Sequence, residues 1–157
     1  MGVYSIEKLM TETRLLAANY YRTTGLVLPV SNELARFDAA RLLGFQEISP
    51  KLKGVDLIGV GNWEGLKCQV KARVVFKSEQ STQRIGQLNW SGAWDSILLV
   101  LMDADYQPTV VYLSSRETLE ANLAHGSKVA TNPRGAMSVA RFKKVGDCLW
   151  SAAIDSL

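Results

Sequence analysis

Hydrophobic and polar positions alternate with two different periods along this chain. From Ser5 to about Thr24, the apolar residues Ile6, Leu9, Met10, Leu16, Ala17 and Tyr20 recur at helical spacing. Ser5 stands where an N-cap is wanted, and Gly25 where a helix stops. "LVLPV" follows as a short extended link. Ser31 or Asn32 is placed to cap a second helix, from Glu33 to Leu43, which Gly44 ends.

The period then shortens. After "SPKLKG", residues Val55 to Val60 read as a strand, "GNWEG" as a hairpin turn, and Leu66 to about Phe76 as a second strand. "KSEQSTQRIGQLNWSGAW" is polar and irregular. "SILLVLM" is a continuous apolar run, which predicts a central strand buried on both faces. "TVVYL" pairs with it through the turn "DADYQP". Ser114 is placed to cap a helix through Leu123, "HGSKVATNPRGAMS" reads as a polar loop, and "VARFKKV" as a last strand. The expected order is α-α-β-β-loop-β-β-α-β. That is an α/β (α+β-like) fold with a mixed central sheet of about four to five strands flanked by helices.

Composition adds bounds. The 157 residues are 47% hydrophobic and 21% charged, as in an ordinary globular domain. Without repeats or linker-like stretches they predict a single domain. It comprises an N-terminal helix and link over 1–30, a core over 31–113, and a C-terminal helix, loop and strand over 114–157. No apolar run reaches the roughly 20 residues of a membrane span, and the N-terminus lacks a signal-peptide pattern, so the expected location is cytoplasmic. Cys68 and Cys148 are too few for a metal quartet and read as free thiols. A formal charge of +3 permits nucleic acid as a partner without demonstrating it.

One acid breaks the apolar rhythm. Asp56 lies between Val55 and Leu57, with Ile58 and Val60 as its face-mates, so its carboxylate needs a cation or donors nearby. On the next strand Lys67, Gln69, Lys71 and Arg73 share one face, and Leu66, Cys68, Val70, Ala72 and Val74 the other. A hairpin brings Gln69 or Lys71 towards Asp56. Two plain accounts fit so far: an amphipathic strand with a solvated face, and a structural Asp–Lys ion pair.

Asp56, twelve intervening residues and then Gln69-Val70-Lys71 resembles the signature of the PD-(D/E)XK nuclease superfamily. Its pattern has an acid on one strand and an acid, a spacer and a lysine on the next. An upstream helical glutamate often completes the site, and Glu33 in "NELARFDAARLLGF" matches it. The resemblance runs from about Glu33 to Leu113, and the sequence also looks like small stand-alone bacterial members of that superfamily. It implies a restriction-endonuclease-like core and Mg²⁺- or Mn²⁺-dependent hydrolysis of DNA. By the same resemblance, Asp56, Gln69, the Val70 carbonyl and Glu33 would hold the metal, through hard oxygens that suit Mg²⁺. Lys71 would orient or deprotonate the attacking water. Pairing of active sites across a homodimer is a further implication. The second acid of the pattern is here Gln69, which offers oxygen without negative charge. The alternative is a catalytically degenerate module that binds nucleic acid or protein with the same face.

Around these residues, Lys51, Lys53, Arg73, Lys77, Gln83 and Arg84 are candidate contacts to DNA phosphates or base edges; a solvated rim is the plain alternative. Trp63, Trp90 and Trp94 suit loop packing better than base stacking. The single histidine, His125, suits a helix C-terminus. Zinc hydrolysis and histidine-dependent nucleophilic catalysis lack their ligands, and there is no P-loop or dinucleotide fingerprint.

Overall fold

The computed structural model describes residues 5–48, 52–76, 83–124 and 137–152. Helix α1 (Ile6–Thr24) starts where Ser5 Oγ accepts the Lys8 N–H at 3.1 Å. It stops at Gly25, whose φ of 74° lets its N–H return to the Tyr21 carbonyl. Helix α2 (Ser31–Leu43) begins two residues before the expected Glu33. It has no side-chain cap; its N-cap is Val30 and its C-cap Gly44.

Six strands form one sheet whose order follows the chain: β1 (Gln46–Glu47), β2 (Leu57–Ile58), β3 (Lys67–Val74), β4 (Ser96–Met102), β5 (Pro108–Ser115) and β6 (Asp147–Ser151). Neighbours are antiparallel except β3 and β4, which run parallel, Cys68 facing Ser96 and Val74 facing Met102. The fold is thus α/β with a mixed sheet, and has more strands than the sequence pattern suggested.

Parallel neighbours need a crossover, commonly a helix. Here residues 75–76 and 83–95, which contain no helix, form the described part of that connection, and 83–94 are its larger segment. They act as a strap across one sheet face.

Alternation along the strands makes two cores. Cys68, Val70, Ala72 and Val74 of β3, with Leu98, Val100 and Met102 of β4, pack under Ala17, Ala18, Leu34, Ala35 and Ala39 of α1 and α2. Ile97, Leu99 and Leu101 pack on the opposite face against Ile85, Leu88 and Trp94 of the strap. Helices α3 (Arg116–Ala124) and α4 (Val139–Val145) complete that layer with Leu119, Leu123, Val139 and Phe142. All seven residues of "SILLVLM" are buried, as a strand covered on both sides requires.

Several expectations need correction. "VARFKKV" is α4 and not a strand: Val139 and Phe142, three residues apart, are its buried pair, and Ser138 Oγ caps it by accepting the Arg141 N–H. The last strand is the following "DCLWS". Ser114 lies inside β5, and Ser115 Oγ is the group that accepts the Thr118 N–H at the start of α3. Strand β1 had no signal in the pattern. The run from Val55 to Val60 contains a ladder of two residues, followed by a 3-10 turn at Gly61–Trp63. Among the described residues, no helix is long and apolar enough to cross a membrane. His125 and most of "HGSKVATNPRGAMS" lie outside the described residues.

Candidate active site

The shortness of β2 has a local cause in Asp56. Its N–H donates to the Cys68 carbonyl at 2.8 Å, as a ladder residue would. The next donor across, the Val70 N–H, is taken at 2.8 Å by the Asp56 carboxylate (Oδ2). A side chain has replaced a main-chain acceptor, and the chain turns away through Gly54, whose φ is 79°. Asp56 is therefore pinned beside the middle of β3, and Val70 meets it through its N–H.

Because β3 alternates, Gln69, Lys71 and Arg73 leave it on the face opposite α1 and α2, beneath the strap. Gln69 Oε1 is buried and accepts no hydrogen bond from the protein. Its amide nitrogen lies where two glycine backbones approach each other: a Cβ on Gly54 would stand 3.1 Å from Gly92 Cα and 3.6 Å from Gln69 Nε2. Lys71 Nζ donates to the Gln87 carbonyl at 3.0 Å. Arg73 Nε donates to the Arg84 carbonyl at 2.6 Å, and its Nη1 to the Ala72 carbonyl. No carboxylate lies within ion-pair distance of either cation among the described residues.

Burial pushes the Lys71 ammonium below its ordinary value, the neighbouring Arg73 charge pushes the same way, and Asp56 partly offsets both. Burial also lowers Arg73. On the other face of β3, burial holds the Cys68 thiol up at about 12, so it stays protonated and unreactive.

Glu33 is not brought to this place. Leu34, Ala35, Asp38 and Ala39 form the buried stripe of α2. That phase leaves Glu33 about half exposed, paired to Arg36, in a groove between α1 and α2 lined also by Met10, Phe37 and Glu47. The helix lies on the sheet face that Gln69 and Lys71 point away from. The expected Glu33 ligand is thus separated from the cluster by the sheet itself.

Of the candidate nucleic-acid contacts, Lys51 and Lys77 lie outside the described residues. Lys53 is exposed, and its carbonyl accepts the Ala93 N–H. Gln83 is a strut, its amide donating to the Val74 carbonyl at 2.6 Å. Arg84 supplies the carbonyl that holds Arg73, and pairs by an isolated bridge with Ser138. Trp63 packs near Phe45, and Trp90 and Trp94 pack together under Arg116, whose guanidinium lies 4.4 Å from the Trp94 ring centre. Trp94 also donates its indole N–H to the Asn89 carbonyl. The tryptophans are packing groups. Gly86, which approaches both cations of β3, had no signal in the sequence beyond being a glycine in a polar stretch.

Does this donor set suit a divalent cation? Among the described residues, no three acid, histidine or cysteine side chains converge to hold one. The oxygens on offer are the Asp56 carboxylate, one oxygen of which accepts the Val70 N–H, and the buried oxygen of Gln69, which has no protein partner. Leaving a buried acceptor unpaired costs about 1–3 kcal/mol, and a hard cation would satisfy it. The chemistry fits Mg²⁺ or Mn²⁺, with the negative charge supplied by Asp56.

Compared with protein-family models and with curated proteins, the chain matches none.

Proposed function

We propose that the protein is a metal-dependent phosphodiester hydrolase of the PD-(D/E)XK type, a cytoplasmic endonuclease acting on DNA. One observation carries this reading: the Asp56 carboxylate is held at the Val70 N–H, which is flanked along β3 by Gln69, whose buried side-chain oxygen has no protein partner, and by the lowered Lys71, in the order of the superfamily signature. Asp56 and Gln69 would hold Mg²⁺ or Mn²⁺. The metal would supply polarisation of a phosphoryl oxygen and charge for the transition state. Lys71 acts on the attacking water. With its proton affinity lowered by burial and Arg73, it gives up its charge more readily than a solvated lysine and can accept the proton of that water. The Val70 N–H fixes Asp56, so the carboxylate need not reorganise.

A second reading is a binding module without catalysis. Its support is the strap, whose carbonyls cover both cations, and the single negative charge of the donor set. Incubating the protein with supercoiled and linear DNA, in Mg²⁺, Mn²⁺ or EDTA, separates the two. Cleavage with metal that EDTA abolishes supports the hydrolase; binding without cleavage in either metal overturns it.

A further inference from the structure

We infer that the groove between α3 and α4 is a docking surface for the phosphate backbone of a DNA duplex. Charge is distributed unevenly along the chain. The 26 residues from Ala121 to Gly146 hold five of its 18 Lys and Arg residues and none of its 15 acids. The remainder, with 13 cations against 15 acids, is slightly acidic. Three of the five, Arg141, Lys143 and Lys144, stand exposed on α4. Val139 and Phe142 are the buried side of that helix, so Ala140, Arg141 and Lys144 form its outer side. Arg141 and Lys144 line a groove of about 340 Å³, together with Ser138, Ala140, Val145 and Asn122 of α3. Arg141 is held across it. Its Nη2 donates to Asn122 Oδ1 at 2.9 Å, and its backbone N–H to Ser138 Oγ at 3.0 Å.

No carboxylate lies within ion-pair distance of Arg141, Lys143 or Lys144 among the described residues. Glu120, the acid that precedes the stretch, pairs with Arg116 instead. Exposed cations are stable in water without a partner, but together they set up a positive potential that draws a polyanion. Phosphodiester oxygens accept from guanidinium and ammonium groups at about 2.7–2.9 Å, and a guanidinium already oriented by Asn122 gives up less freedom to do so. A duplex suits this surface better than a membrane does. Basic helices that lie on lipid present apolar side chains to it, whereas Val139 and Phe142 are packed in the core. There they meet Ile85 and Leu88 of the strap, so the groove and the candidate active site belong to one face of the sheet. The choice of DNA rests on the proposed function.

The test is binding without metal. A fluorescent DNA duplex is titrated with protein in EDTA, at several salt concentrations. Arg141→Gln with Lys144→Gln should weaken binding by about 10²-fold, a factor of about ten for each charged hydrogen bond lost. The log–log salt dependence should flatten by about 1.8, for two phosphate contacts. Lys8→Gln with Arg22→Gln removes the same charge from exposed sites on α1 and should leave the affinity unchanged. Ala140→Glu, which keeps both cations and sets an acid between them, should weaken binding too, and decides the matter if the double exchange fails to fold. Wild-type affinity in the groove variants, equal loss in the α1 variant, or no binding by the wild type overturns the surface. So does binding of polyglutamate or of anionic vesicles in place of the duplex. If the groove variants bind as the wild type does and Mg²⁺-dependent cleavage is present, the surface fails and the hydrolase stands. If binding weakens as stated but the wild type cuts in neither metal, the surface stands and the hydrolase fails.

Discussion

Two charged clusters lie on opposite faces of the same sheet, and they are built on opposite terms. Under α1 and α2, Arg14 grips Asp38 with two parallel hydrogen bonds, at 2.9 and 2.8 Å, and donates a third to the Tyr106 carbonyl. Both residues are buried, and Arg41 adds a further contact to Asp38. This cluster is closed: opposite charges meet, and it ties α1, α2 and the β4–β5 turn together. The cluster on the other face is open. Gln69 Oε1 is unpaired, and Lys71 and Arg73 rest on neutral carbonyls. Buried polar atoms without a protein partner occur on both faces, Tyr106 Oη on the first and Gln69 Oε1 on the second, so the contrast lies in the charges: the first face pairs them directly, and the second rests its two cations on carbonyls. Under the proposed function, the second face is the one that would hold metal and substrate.

Breaking the closed cluster should give the largest effect on the molecule. Arg14→Ala or Asp38→Asn leaves one buried charge without its partner, at a cost of about 3–5 kcal/mol. Urea unfolding would show it. Replacing both together, Arg14→Met with Asp38→Leu, should recover most of the loss, because the pair then leaves no charge behind. A loss below about 1 kcal/mol for either single change would mean that the closed cluster does not hold the helices in place.

The open cluster should respond the other way, losing activity and keeping the fold. Lys71→Ala removes the proposed proton acceptor and should lower cleavage by about 10²–10⁴-fold. Asp56→Asn should remove metal binding as well as cleavage. The Asp56→Asn protein also tests the β2 edge, since an amide can still accept the Val70 N–H. Supercoiled-DNA cleavage and thermal melts on the same samples give both readings. Cleavage at the wild-type rate in both variants would place the activity elsewhere.

Much of this contrast was legible in the chain, and the failures have physical causes. The alternation of β3 assigned Gln69, Lys71 and Arg73 to one face. The unbroken run "SILLVLM" identified the strand with two cores. The closed cluster was also within reach: Arg14 sits on the stripe of Met10, Ala17 and Tyr21, and Asp38 on that of Leu34 and Ala35, four and three residues away. Glu33 was misplaced because the inward stripe of α2 is Leu34, Ala35, Asp38 and Ala39, and the buried acid Asp38 within it hides that stripe from an apolar pattern. In "VARFKKV", seven residues offer too few turns to separate a period of 3.6 from one of 2, and the capping Ser138 lies just outside it. The strap could not be read at all. Its hold on Lys71 and Arg73 is made by backbone carbonyls, and a carbonyl is the same in every residue.

Gln69→Glu sharpens the contrast with a smaller change, adding one negative charge at nearly constant shape. If Gln69 Oε1 holds the metal, Mg²⁺ binds more tightly and cleavage begins at lower metal concentration. Turnover need not rise, because added charge also reduces the electrophilicity of the metal. Calorimetric titration of both proteins decides it: equal affinities would take Gln69 out of the metal site.

The smallest effect concerns stability and pH at Lys71. Its folded-state value lies below the ordinary 10.5 of an unfolded chain, chiefly through burial. Below the folded value both states carry the proton, and the folded state bears the full cost of a charge it solvates poorly. As pH rises through the folded value towards 10.5, the folded state releases its proton first, and that cost is relieved. Lys71→Met should therefore be more stable than the wild type at neutral pH, with an advantage that shrinks as pH climbs towards 10.5. Cys68 pulls the other way. With its thiol held up at about 12 against an ordinary 9.0, the unfolded chain ionises first, so stability falls above pH 9. Both proteins carry Cys68, so its contribution cancels in their difference. Urea midpoints of the pair between pH 7 and 10.5 isolate the lysine. An advantage that stays constant across that range, or grows, would mean that Lys71 carries its charge at no cost, and the open cluster would lose its electrostatic distinction from a solvated face.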